Sequence, residues 1–287
     1  MALEGLAIIG ESINDSVPST KRLFEAGDIE GILDLARTQD QGGAAYIDVN
    51  VGARPPAFMA EMVRKIQQVT ARPLSIDTPD LATARAGLEA YDRSRAGGAR
   101  PLLNSISALR VGMFELCAVQ PLRPILLVSE HVENGRRRPC HTAAQTYQAA
   151  KSLLSAARAA GLSNGEVIID PGIAPIASDS EGNLKRLLAA LELIGRDPQF
   201  AGCHMSVGLS NFTVMLPPKR ADGSPLKGPL ECAFLTKAMP LGLDMVIGSV
   251  KRKYERLPPD HPALACLDDV LKAEGFDAIL RVREFYT

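Results

Sequence analysis

The sequence predicts a single-domain (β/α)8 TIM barrel spanning residues 1–287. Three observations predict it. Eight short apolar, β-branched runs alternate with eight helical patterns, as parallel βα units buried on both faces require. The length of 287 residues is close to the ~250 typical of this barrel. Many of the runs also close on a carboxylate or a carboxamide. A doubly wound open sheet is the alternative, but it usually places a GxGxxG after its first strand. Here that position reads Gly10-Glu11-Ser12-Ile13-Asn14.

The elements follow in order. Residues 6–10 form the first run, with Glu11 and Asn14 just beyond it. Asp28 is placed to cap a helix that Gly42-Gly43 stops near residue 41. Residues 44–49 form the second run, carrying Asp48 and Asn50 at its end, before a helix over about 56–69. The third run ends at Asp77, and Thr78-Pro79 reads as N-cap and first-turn proline of a helix to about residue 90. The fourth ends at Asn104, with a helix expected over 107–119. The fifth, 124–129, leads through Glu130 to a long arginine-bearing loop and a helix over 141–160. The sixth ends at Asp170, before Pro171-Gly172 and a helix over 183–194. The seventh, 203–207, ends in Gly208-Leu209-Ser210-Asn211, followed by a Pro-, Lys- and Gly-rich loop over 215–228 and a helix over 229–239. Residues 244–248 form the eighth run, and the remainder reads as helical with a break at Leu257-Pro258-Pro259.

Composition narrows the function. Hydrophobic residues make up 46% of the chain, enough for a sizeable core, and a net charge of −1 argues against nucleic acid as a partner. Five cysteines, an odd number without CxxC spacing, suit a reducing cytoplasm. The first residues do not read as a signal peptide, and no apolar run reaches the ~20 residues of a membrane helix. Four histidines without a paired motif argue against a catalytic metal, and the expected metal ligands are none. Ser210 has no evident histidine partner for nucleophilic catalysis.

In a barrel the strand ends meet on one face, where such enzymes keep their sites. Glu11, Asn14, Asp48, Asn50, Asp77, Asn104, Glu130, Asp170 and Asn211 converge there, an acid- and amide-rich set poor in His and Lys. Carboxylates accept paired N–H bonds, and carboxamides both donate and accept. Such a rim suits a neutral heterocycle with amino, ring N–H and carbonyl groups. A 2-amino-4-oxo pterin fits, and so does guanine.

Six stretches then carry a resemblance: Ile9-Gly10-Glu11-Ser12-Ile13-Asn14, Asp48-Val49-Asn50-Val51-Gly52, Ser75-Ile76-Asp77-Thr78, Asn104-Ser105, Ile169-Asp170-Pro171 and Gly208-Leu209-Ser210-Asn211. In this order the chain resembles the pterin-binding methyltetrahydrofolate:corrinoid protein methyltransferases. The folate domain of cobalamin-dependent methionine synthase and dihydropteroate synthase resemble it more distantly. The resemblance implies methyl transfer between tetrahydrofolate N5 and the cobalt of a corrinoid carried on a separate protein. It implies that Asp77, Asn104 and Asp170 bind the pterin and that Asn211 stands beside N5, making Asn211 and Asp77 the catalytic pair. Gly208, Ser210, Glu11, Asn14, Asp48 and Asn50 would line or support the pocket. It also implies a homodimer and a corrinoid protein as partner. The chain has no Asp-x-His-x-x-Gly for holding a corrinoid itself. The loops 131–140 and 215–228 are expected to be mobile and to flank the incoming partner.

Two other readings remain at this level. A dihydropteroate synthase usually carries Asn-x-Thr-x-Asp-Ser-Phe after strand one and a Ser-Thr-Arg-Pro type loop after strand two. This chain has Glu11-Ser12-Ile13-Asn14 and Gly52-Ala53-Arg54-Pro55 there. A phosphate-binding barrel enzyme could use Gly208 and Gly248-Ser249, after the seventh and eighth runs.

Overall fold

Residues 3–287 are described by the computed structural model. Eight parallel strands form one sheet: β1 (Ala7–Asn14), β2 (Tyr46–Asn50), β3 (Leu74–Asp77), β4 (Leu102–Ser107), β5 (Arg123–Leu127), β8 (Ile168–Asp170), β9 (His204–Met205) and β10 (Met245–Gly248). The order runs β10-β1-β2-β3-β4-β5-β8-β9. The seam between β9 and β10 is closed by Asp244 N–H to the Met205 carbonyl at 3.2 Å and Ile247 N–H to the Val207 carbonyl at 2.9 Å. The predicted (β/α)8 barrel is therefore the observed fold.

Helices α1 (Pro18–Ala26), α2 (Ile29–Gln41), α3 (Pro56–Ile66), α4 (Leu81–Ala90), α5 (Ala143–Ala159), α6 (Asn183–Arg196), α8 (Lys227–Ala238) and α9 (Pro262–Lys272) connect or follow the strands. A one-turn helix, α7 (Leu209–Phe212), follows β9, and α10 (Phe276–Tyr286) ends the chain. Asp28 caps α2 as expected, its carboxylate accepting from Gly31 N–H at 2.9 Å.

Strand alternation divides the apolar residues into two sets. Ile47, Val49, Leu74, Ile76, Leu103, Leu126, Ile169 and Val246 point outward into the shell between sheet and helices. Ile9, Leu102, Ile125, Ile168 and Met245 fill the barrel interior, with Ala7, Tyr46 and Ile247 against them. The next inward positions along the same strands are polar: Glu11, Asp48, Asn104 and Asp170. An apolar plug thus floors a polar cup at the strands' C-terminal ends.

Several local expectations are corrected. Residues 18–26 form a helix that the composition of that stretch did not suggest, with Pro18 in its first turn. The cap of α4 is Asp80, which accepts from Thr83 N–H at 2.7 Å, rather than Thr78. Between β4 and β5 the expected full helix is a 3-10 stretch, Val111–Ala118. The arginine loop is an antiparallel hairpin, β6 (Glu130–Glu133) and β7 (Arg136–Pro139). Asn134 and Gly135 at its tip have φ of 52° and 72°, the two positive values a tight primed turn needs. The 215–228 loop is tied down: Arg220 Nε donates to the Phe285 carbonyl at 2.8 Å, its guanidinium lies over the Phe285 ring, and Ala221 N–H reaches the Tyr286 carbonyl.

Candidate active site

Strand register assembles the cup. Asp77 on β3 lies directly beside Asn104 on β4, Asp48 beside Ser75, and Asn14 beside Asn50. In a parallel pair, neighbours in register point to the same face, so these inward groups touch. Asn50 Nδ2 donates to Asp77 Oδ2 at 2.9 Å, and Asn104 Nδ2 reaches Asp48 Oδ1 at 3.4 Å. The Asn50 carbonyl oxygen accepts from Gly52 N–H at 2.9 Å, which fixes the amide's orientation and presents its NH2 to Asp77.

Two carboxylates this close and this buried cannot both stay charged. Burial first, then the charge of Asp77, pushes Asp48 well above the usual carboxylate range. Burial also raises Asp77, opposed by the Asn50 hydrogen bond, by Asp48 and by the charge of Arg110. Both carboxyls are thus raised, Asp48 the more strongly. Asp77, with the weaker rise and the Asn50 hydrogen bond, is the better acceptor of the two.

Asp170 stands two strands further round, 6% exposed. Its carboxyl accepts from Gly172 N–H at 2.7 Å. Gly172 has φ of 70°, and a Cβ there would meet Ser129 Cβ at 2.5 Å, so glycine is required by both conformation and space. Arg186 of α6 holds this turn from behind, donating to the carbonyls of Pro171 at 2.9 Å and Gly172 at 3.1 Å and to Thr146 Oγ1 at 2.9 Å. Burial pushes the Asp170 carboxyl up to about 7, against the Gly172 hydrogen bond and the charge of Arg186.

A stability prediction follows from that value. Between the ordinary carboxylate value and about 7, folded Asp170 keeps a proton that the unfolded chain has lost. Stability of the ligand-free protein therefore falls as pH rises through that window. Across that window Asp170 alone contributes a fall of roughly 4 kcal/mol, about 3 kcal/mol of it between pH 5 and pH 8, at ~1.4 kcal/mol per pH unit. Urea unfolding at pH 5 and pH 8 should show this slope in the parent and a flatter one in Asp170→Asn. Equal slopes would contradict it.

Across the β9–β10–β1 side of the barrel, Ser210 Oγ donates to Glu11 Oε1, joining α7 to β1. Asn211 is exposed on α7. A Cβ at Gly208 would meet Asn211 Nδ2 at 2.8 Å, so glycine leaves room for the amide to lie over the backbone. Asn14 spends its side-chain oxygen on Ser16 N–H at 2.8 Å, closing the turn after β1.

The predicted residues thus fall into groups. Asp48, Asn50, Asp77 and Asn104 form one bonded cluster, and Glu11 with Ser210 another. Asp170, at the end of β8, and Asn211, on α7 after β9, stand free of both. Sequence reasoning missed Arg110, whose Nη2 reaches Ser105 Oγ at 3.3 Å and whose charge acts on Asp77, and it missed Arg186. Neither carries a local signal.

The loops around the cup carry exposed apolar side chains among their polar ones. Val17, Leu81, Leu109, Val111, Val132, Val214 and Met215 are all exposed and all follow strand C-terminal ends. Among the described residues, no helix is long and apolar enough to cross a membrane.

The pattern of the family described as pterin binding enzyme matches residues 13–248, from the end of β1 to the end of β10. The chain is 25% identical over 253 residues to the methylcorrinoid:tetrahydrofolate methyltransferase of Eubacterium limosum, covering 84% of each protein. It is 24% identical over 293 residues to the methionine synthase of Mycobacterium leprae (strain TN), covering 96% of this chain and 23% of that longer protein. Among solved structures, the Yersinia pestis DHPS with a pterine-sulfa conjugate superposes with a TM-score of 0.57 at 18% identity, over 86% of this chain and 89% of that one. The dihydropteroate synthase of Xanthomonas albilineans with 4-aminobenzoic acid gives 0.58 at 18% identity, over 84% and 86%. These likenesses are to the fold. The family match takes in the strand ends that build the cup, and the chain belongs to the pterin-binding enzyme family.

Proposed function

We propose that this chain transfers a methyl group between N5 of tetrahydrofolate and the cobalt of a corrinoid carried on a separate protein. The observation that carries the proposal is the form of the cup. Hydrogen-bonded acids and amides at the strand ends share the C-terminal face of the barrel with the exposed Asn211 carboxamide and with exposed apolar side chains on the surrounding loops. The relative from Eubacterium limosum, matched over most of both chains and named for this reaction, supports the same reading.

Asp77 would accept from the ring N–H and 2-amino group of the pterin, as a carboxylate accepting paired donors. Asn104, beside it in register, would hold the neighbouring edge. Asp170, protonated through much of the range below neutrality, can donate as well as accept. Glu11, Asn14, Asp48 and Asn50 would shape and orient this set, with Gly208 and Ser210 placing the α7 segment.

When the methyl leaves N5 for cobalt, the C–N5 bond breaks and its electron pair stays on nitrogen, which takes a proton. The cobalt supplies the pair for the new C–Co bond. Charge on N5 changes most in the transition state, so a donor placed there stabilises it more than the ground state. The Asn211 NH2 can do this without carrying charge. By microscopic reversibility, the same donor serves transfer in either direction.

The exposed apolar side chains of these loops, Val214 and Met215 near Asn211 among them, suit a macromolecular partner, because the reacting cobalt must come within bonding distance of a methyl group lying in the cup. The test is spectral. Mixing the protein with 5-methyltetrahydrofolate and Co(I) cobalamin, or its carrier protein, should convert Co(I) to methyl-Co(III). Tight folate binding with no conversion by any corrinoid carrier would refute the assignment. Condensation of a pterin pyrophosphate with p-aminobenzoate would place the chain with the synthases instead.

A further inference from the structure

The segment carrying Asn211 is too short to hold its own shape. α7 has four residues, Leu209–Phe212, whereas an isolated helix needs about 12–15 to be even marginal in water. The direction of the Asn211 side chain must therefore be imposed from outside. Three contacts do so. Phe212 is buried with its ring centroid 5.4 Å from that of Phe234 on α8. Ser210, one residue before Asn211, donates to Glu11 of β1. Thr213, two residues after it, donates from Oγ1 to Glu231 Oε1 of α8 at 2.6 Å.

Glu231 is a buried acid that the proposed chemistry does not use. It is 1% exposed, and burial raises it above the usual carboxylate range, opposed by Thr213 and by Arg252. Arg252, from the segment after β10, approaches Glu231 Oε2 with its Nε at 3.3 Å. The charges of Glu11 and Glu231 act on each other, and Arg252 opposes both. One cation thus serves two acids that grip the same short segment from opposite sides, β1 and α8.

We infer that Glu11 and Glu231 clamp the Asn211 segment through Ser210 and Thr213, making Thr213, Glu231 and Arg252 positioning residues for the transfer. This rests on the proposed function, and it assigns roles to three residues that touch no substrate group. The clamp fixes where the Asn211 amide points. Leu209, Phe212 and Thr213 are buried and Ser210 is half-buried, while Asn211 between them is exposed.

Thr213→Val tests it, since valine keeps the shape and removes only the hydroxyl. The expected outcome is an essentially unchanged affinity for 5-methyltetrahydrofolate, a kcat for methyl transfer lowered about tenfold, as one lost hydrogen bond to a charged acceptor would give, and faster hydrogen exchange of amides 209–214. Thr213→Ser, which restores the hydroxyl, should return kcat and exchange towards the parent. A Thr213→Val protein with parent kcat overturns the inference. So does a loss in folate affinity equal to the loss in rate, which marks general damage. Should the parent itself transfer no methyl group, the exchange measurement still decides: faster exchange confined to 209–214 supports the clamp, and parent exchange there overturns it.

Discussion

Asn211→Ala should lower methyl transfer by roughly 10²–10³, the size of other losses of a single transition-state donor. Affinity for 5-methyltetrahydrofolate should change little, because Asp77, Asn104 and Asp170 remain to hold the pterin. The reason lies in placement. Asn211 sits on a separate segment, exposed, and hydrogen-bonds through its side chain to none of the other cup residues. Its removal leaves the cup's internal bonds intact and removes a donor only where charge develops. Single-turnover mixing with Co(I), followed by the rise of methyl-Co(III), separates this step from binding and from product release. A variant that turns over at the parent rate would deny Asn211 its assigned role.

Asp77→Asn should have the second large effect, and on binding instead. In the free protein Asp77 accepts from Asn50 and neighbours Asp48, the more strongly raised acid of the two. An ionised carboxylate presents acceptors to both pterin donors. A carboxamide can present only one, and it turns an NH2 towards the other donor. Loss of a charge-assisted bond in a buried cup is worth about 1.5–3 kcal/mol, so folate affinity should fall on the order of 10²-fold. Titration calorimetry checks this. The same substitution removes the negative neighbour that helps raise Asp48, so the free protein should not be destabilised at neutral pH. An unchanged folate affinity would mean that the ligand's amino edge lies elsewhere.

Both effects concern residues legible in the primary sequence. Asp77, Asn104 and Asp170 each close a short apolar run, and period-two alternation turns the residue two places after an inward position inward again. The strict βα rhythm also required parallel strands, and parallel strands bring all their C-terminal ends to one face. Local rules were sufficient there because strand pairing in this fold joins near neighbours in sequence.

The sequence reading fell short where the turn was compact or the partner distant. Asn134-Gly135 between two short polar strands was a readable hairpin signal, obscured by three consecutive arginines that suggested a solvated loop. The α1 helix over Pro18–Ala26 lacks a side-chain N-cap hydrogen bond and went unrecognised. The 215–228 loop looked free because its anchors, Phe285 and Tyr286, lie some sixty residues downstream.

Barrel class and the ring of acids and amides at the strand ends follow from the order of residues alone, since each depends on alternation within a strand and on the direction of successive strands; pterin as the ligand came with the resemblance. The raised acids Asp48 and Asp77, the staple that Arg186 puts on the Asp170 turn, and the grip of Glu231 on Thr213 belong to packing. They arise because burial removes water from groups that are far apart along the chain, leaving a buried acid or cation to be satisfied only by whatever the fold brings within hydrogen-bond reach.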